Sequence, residues 1–111
     1  MEREELEKMT RDYQNIQMQI QSLSMQKLQF NQQKEEYKDA EKELLLAKGK
    51  VYIDIGGLMI ETTKDEAMAK LKEKIESTEM RHKIVTRQYE EASKKEQTLR
   101  GTLTEELKKN Q

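Results

Sequence analysis

Val51-Tyr52-Ile53-Asp54-Ile55-Gly56-Gly57-Leu58-Met59-Ile60-Glu61-Thr62 is the stretch on which the fold turns. Two β-prone runs flank a Gly-Gly pair, and glycine accepts the positive φ that a two-residue primed turn demands. Pairing across that turn sets Ile55 opposite Leu58, Ile53 opposite Ile60 and Val51 opposite Thr62. One face of the hairpin is then almost wholly aliphatic, formed by Val51, Ile53, Ile55, Leu58 and Ile60. The other carries Tyr52, Asp54, Met59 and Glu61.

On either side the apolar period changes from two to three and a half. With Leu6 at position a of a heptad, the a row is Leu6, Tyr13, Ile20, Lys27, Lys34 and Glu41. The d row is Met9, Ile16, Leu23, Phe30, Tyr37 and Leu44. After the hairpin the a row is Met68, Ile75, His82, Tyr89, Glu96 and Leu103, and the d row is Leu71, Thr78, Val85, Ala92, Leu99 and Glu106. Six heptads in each arm predict a coiled coil. Lys48-Gly49 reads as a basic last turn followed by a glycine C-cap. Thr63 through Glu66 reads as a capping box, Thr63 capping and Glu66 reaching back. The expected boundaries are a helix over 2–48, a β-hairpin over 50–62 and a helix over 64–110, all one domain spanning 1–111.

A chain that reverses at Gly56-Gly57 brings its arms together antiparallel, and partner numbers must then add to a constant. Tyr13 with Leu99, Ile20 with Ala92, Leu23 with Tyr89, Phe30 with His82, Tyr37 with Ile75 and Leu44 with Met68 each add to 112, and a always faces d. The fold class is therefore mainly α: an antiparallel two-helix coiled-coil hairpin with a β-hairpin at the bend. Each arm is roughly 70 Å long at 1.5 Å per residue.

Composition agrees. Of 111 residues, 39% are charged and 33% hydrophobic, with no Pro, Trp or Cys. Typical domains are about 25% charged and roughly 45–50% apolar, so a compact core is beyond this chain and a narrow apolar seam is not. The 21 basic and 22 acidic residues are spread over both arms. That distribution builds no field for nucleic acid or anionic lipid. Without Cys there is no disulfide framework or thiolate metal site. Apolar runs are too short for a membrane span, and the opening MEREELEKM is too charged for a targeting peptide, so a cytoplasmic location is expected.

Candidate chemistry is sparse. His82, the one histidine, falls at a seam position opposite Phe30, and no set of three or four convergent metal ligands accompanies it. Glu35-Glu36 and Glu90-Glu91 lie on solvated faces with no dry pocket for acid/base work. Gly56-Gly57 lacks the Lys-Ser/Thr of a phosphate loop. Neither an enzyme nor a cofactor site is expected. Polar seam residues Lys27, Lys34, Glu41 and Glu96 fix register at some cost in stability, their stems packed and their charges in water.

Two surfaces remain. The aliphatic hairpin face, with two unpaired edges, is expected to join hairpins of other chains into a closed β-barrel body from which the coiled coils project. Folding back onto its own helices is disfavoured, because the seam is already filled by the partner arm. At the free end, Leu6 and Met9 on one helix and Leu99, Leu103 and Leu107 on the other either close the last turns or open to bind apolar segments. Gly101 and the Leu6/Glu106 mismatch are expected to loosen that end. Met18, Met25 and Met80, at outward f positions, are adaptable enough for soft contacts.

Two long helices, the pattern Val51-Tyr52-x-x-Ile55-Gly56-Gly57-Leu58-Met59-Ile60, and Asp65-Glu66 opening the second helix together resemble the prefoldin family, and within it the β-type subunits. Arg81 through Glu91, with Thr86-Arg87-Gln88, is similar to archaeal members of that class. The resemblance covers essentially the whole chain, and the single hairpin sets it apart from α-type subunits, which carry two. It implies an ATP-independent chaperone subunit in a hetero-hexamer of two α and four β chains. It further implies binding of unfolded clients at the coiled-coil tips and their delivery to a cytosolic group II chaperonin. The competing expectation is a structural scaffold whose hairpin docks one specific partner.

Overall fold

The computed structural model describes residues 1–109. Helix α1 spans Arg3–Leu46, strand β1 Val51–Ile55, strand β2 Leu58–Thr62 and helix α2 Lys64–Lys109. The expected last helical residue, 110, lies outside the described residues. No described helix is long and apolar enough to cross a membrane.

β1 and β2 pair antiparallel in the expected register, Ile55 with Leu58, Ile53 with Ile60 and Val51 with Thr62. Gly56 and Gly57 have φ of 59° and 89°, the two positive values of a type I′ turn. Asp54 Oδ1 accepts the Gly57 amide at 2.9 Å and tightens the bend.

The chain divides into two compact units, one of Met1–Lys27 with Lys83–Gln111 and one of Leu28–His82. In the first, the Tyr13 hydroxyl donates to Glu96 at 3.0 Å and the Lys27 ammonium sits 4.4 Å above the Tyr89 ring. Both contacts lie within about one helical turn of the expected antiparallel register. In the second, Lys74 lies 5.8 Å from the centre of the Tyr37 ring, again antiparallel. All twelve a and d positions read in each arm are half-buried or buried. Leu23, Val85 and Ala92 form the driest part of the first unit, and Leu44, Ala67 and Thr78 that of the second. His82 is a half-buried seam residue.

Two capping expectations need correction. Helix α1 stops at Leu46, before the Lys48-Gly49 pair, and Gly49 does not take a positive φ. Its last turn closes instead through an Ala47 amide donating to the Leu44 carbonyl at 3.2 Å. The Lys64 ammonium then donates to the Leu45 carbonyl at 2.8 Å and the Ala47 carbonyl at 3.3 Å. The first residue of α2 thus satisfies two carbonyls at the end of α1, those of Leu45 and Ala47. At the start of α2, Thr63 Oγ1 accepts the Glu66 amide at 3.1 Å, as an N-cap should. Glu66 does not complete a capping box: its carboxylate accepts from the Thr62 hydroxyl at 2.6 Å.

Candidate functional site

The hairpin belongs wholly to the unit Leu28–His82. Its aliphatic face is divided. Val51 and Ile53 are half-buried, whereas Ile55, Leu58 and Ile60 are exposed. Ile53 and Ile55 border an open groove of about 1010 Å³ whose other walls include Ala40 and Leu44 of α1 and Ala67 and Leu71 of α2. Lys50, Lys70 and Lys74 rim that groove. An open groove, not a packed contact, thus separates this part of the hairpin from the helices. The tip of the hairpin keeps its apolar side chains in solvent. On the opposite face Tyr52 and Met59 are exposed as well, Met59 at 67%. A two-stranded sheet with apolar residues on both faces and both edges unpaired is a surface built for association.

The second candidate surface lies in the other unit, at its chain ends. Leu6, Met9, Leu99 and Leu103 are half-buried between the helices, and Leu107 is exposed. The structure thus brings four of the five together in the seam and leaves the fifth outside it. Glu106, the expected mismatch, is largely covered, and its carboxylate lies 3.6 Å from Lys109 Nζ and 3.5 Å from the Met1 amino group. Those partners reduce the cost of a carboxylate at a seam position, a compensation that heptad counting does not reveal.

Local weakness at this end comes from α2. α2 runs unbroken through Gly101, a residue about 1 kcal/mol less favourable in a helix than Ala. Around it, Thr98, Thr102 and Thr104 turn their hydroxyls back onto the carbonyls four residues earlier, at 3.1, 3.1 and 2.7 Å. Such back-bonding competes with the helical ladder and bends helices. Farther along the same unit, Glu96 accepts from Tyr13 and lies 3.6 Å from Arg100, while Gln17 donates to the Tyr13 hydroxyl at 3.2 Å. Desolvation, followed by the hydrogen bond and negative charge of Glu96, raises the Tyr13 pKa above the ordinary tyrosine value. Met18, Met25 and Met80 are exposed, as their f positions require.

The family profile described as prefoldin subunit matches residues 7–110. The chain belongs to the prefoldin family. Prefoldin subunit beta of Thermococcus kodakarensis is 38% identical over 68 residues, covering 61% of this chain and 58% of that protein. Prefoldin subunit beta of Methanococcoides burtonii is 42% identical over 55 residues, 50% of this chain and 47% of that one. The aligned stretches thus span about half the length of these curated relatives. The crystal structure of the prefoldin beta subunit from Thermococcus strain KS-1 superposes with a TM-score of 0.84 at 31% identity, covering 93% of this chain and 92% of that one. Two long helices joined by one two-stranded hairpin are therefore a prefoldin β-type fold.

Proposed function

We propose that this prefoldin-family chain is a single domain over residues 1–111 and acts as the β-type subunit of an ATP-independent holdase. The supporting observation is the hairpin, which leaves Ile55, Leu58 and Ile60 exposed in a chain whose other apolar residues are mostly consumed by a seam. Each Ile or Leu buried on association contributes about 1.5–3 kcal/mol, enough for several hairpins to hold a barrel-like body together. Val51, Ile53, Ile55, Leu58 and Ile60 form the subunit interface. The partners are α-type subunits, in a hexamer of two α and four β chains.

Unfolded clients bind at the distal ends, through Leu6, Met9, Leu99, Leu103 and Leu107. The weak last turns around Gly101 let the four half-buried members open. One arm captures too little apolar area for stable binding, and several arms on one client raise the apparent affinity through effective concentration. Release passes the client to a group II chaperonin in the cytoplasm. Neither catalysis nor a cofactor enters this cycle.

The test pairs mass with activity. Native mass spectrometry of the chain with an α-type subunit should give a hexamer-sized particle that suppresses aggregation of several unrelated unfolded proteins. Ile53→Lys together with Ile60→Lys should leave the helices intact and dissolve that particle into single chains. An unchanged assembly mass in the double variant places the interface elsewhere. Protection of a single folded partner alone would make the chain a tether.

A further inference from the structure

Between Asp12 and Lys34 the sequence carries one charge, Lys27, although 39% of the whole chain is charged. The part of this stretch within the unit Met1–Lys27 with Lys83–Gln111 turns its apolar seam residues inward and holds the Lys27 ammonium over Tyr89. What remains is uncharged: glutamines, one asparagine, two serines and two methionines. Met18 and Met25 are 69% and 59% exposed. They stand two helical turns apart on one outer face, about 10 Å along the axis, with Gln21 and Ser22 exposed between them. Solubility alone does not ask for this. The outward positions of α2 in the same unit are charged in the ordinary way, with Lys83, Arg87, Glu90, Glu91, Lys94 and Lys95.

We propose that this outer face of α1 is a second client-binding surface, which takes extended, uncharged, apolar segments of unfolded polypeptide. The inference rests on the holdase reading and adds to it a place and a substrate class. Charge selects the occupant. A basic or acidic segment laid between Met18 and Met25 meets no charged side chain of α1 there and loses hydration on contact, whereas an uncharged one loses little. The nearest charges lining the groove at Asn15 and Gln19 are Asp12, Lys94 and Lys95. Gln17 and Gln26 are engaged with Tyr13 and Ser22, whereas the exposed Gln21 amide between the two methionines offers both donors and an acceptor to a client backbone that has no secondary structure to satisfy it. Methionine adapts to irregular apolar side chains without fixing their shape. An extended strand rises about 3.3 Å per residue, so roughly three client residues span the gap between the two methionines. A helical partner, including α1 of a second copy, would need apolar residues every three to four positions; Gln21 and Ser22 break that stripe.

The experiment uses the full-length chain in the assembly it forms. The probe is an acetylated and amidated disordered peptide of Leu, Val, Ser and Asn carrying one photoreactive benzoylphenylalanine. Irradiation followed by peptide mapping should place adducts on α1 between Gln14 and Met25, and Leu107→Ser should leave them in place. Met18→Gln with Met25→Gln keeps helix propensity and removes the apolar contacts, so binding should weaken about tenfold at unchanged far-UV circular dichroism. Gln21→Glu with Ser22→Glu should weaken it comparably, and a probe with Asp in place of Asn should bind the parent chain less well. Adducts confined to the distal ends, with full affinity in the methionine variant, overturn this inference and leave the holdase reading standing. Equal affinity for the acidic probe overturns the inference through its charge argument. A parent chain that binds no probe and protects no client overturns both.

Discussion

Gly101→Ala is the sharpest handle on how the distal end works. α2 runs helically through Gly101, whose φ is not positive, and a Cβ built there meets nothing within 4 Å. The methyl group therefore introduces no clash, and the substitution acts through helix propensity and the smaller freedom of the unfolded chain. The gain is about 0.8–1 kcal/mol. Since about 1.4 kcal/mol is a factor of ten, local opening of the last turns should become about four- to fivefold rarer. Amide hydrogen exchange over Thr98–Leu107 reads this directly, and exchange near the hairpin serves as the internal reference. If clients are taken up by the opened end, protection of an aggregating client at limiting chaperone should fall by a similar factor. Exchange that fails to slow refutes glycine as the source of the weakness. Slower exchange with undiminished protection refutes the link between opening and capture.

Cysteines at Tyr13 and Leu99 should form an intramolecular disulfide, while Tyr13 with Ala92 should not, being about one heptad or 10 Å out of register; crosslinks only between chains would reverse the assignment of partners. Because the folded-state pKa of Tyr13 is raised, its contribution to stability is complete below the unfolded tyrosine value of 10.0 and is lost as pH rises through the folded value. Thermal unfolding above pH 10 should therefore be steeper in pH for the parent than for Tyr13→Phe, and parallel curves would refute the coupling. Thr86 Oγ1 is buried without a hydrogen-bond partner. Thr86→Val should consequently stabilise the protein by up to about 1 kcal/mol in a denaturant titration, and a loss of stability would show that the hydroxyl is satisfied after all.

The hairpin and the seam were legible in the sequence because each depends on a local rule. Positive φ at Gly56 and Gly57 follows from the residue type, and a period of three and a half places every a and d residue without knowledge of the partner. What was not legible depends on side chains that arrive from elsewhere in the chain. Gly49 reads as a cap from its neighbours, yet the carbonyls it would have served are taken by Lys64 across the hairpin. Lys27 reads as a solvated seam residue, but the ring of Tyr89 gives its charge a face to rest on. Glu106 reads as a mismatch until the amines beside it are known. At the candidate surfaces the pattern told which residues are apolar. It did not divide the hairpin face into a half-buried pair and an exposed tip, because that division depends on where the helices α1 and α2 pass.

The polar a positions of α1 matter before α2 exists. Synthesis delivers α1 first, with a complete d row of Met9, Ile16, Leu23, Phe30, Tyr37 and Leu44 and no second arm to cover it. On a polysome, neighbouring nascent chains present the same stripe side by side, and zipping them into a parallel dimer is the nearest available error. In that dimer every a residue would meet its own copy, so Lys27 would face Lys27, Lys34 would face Lys34, and Glu41 would face Glu41. Three like-charged layers in one half of the helix make such a pair repel itself where the intended hairpin sets Lys27 over an aromatic ring. The polar row that weakens the finished seam therefore also opposes the in-register parallel pairing of two first arms over this half of the helix.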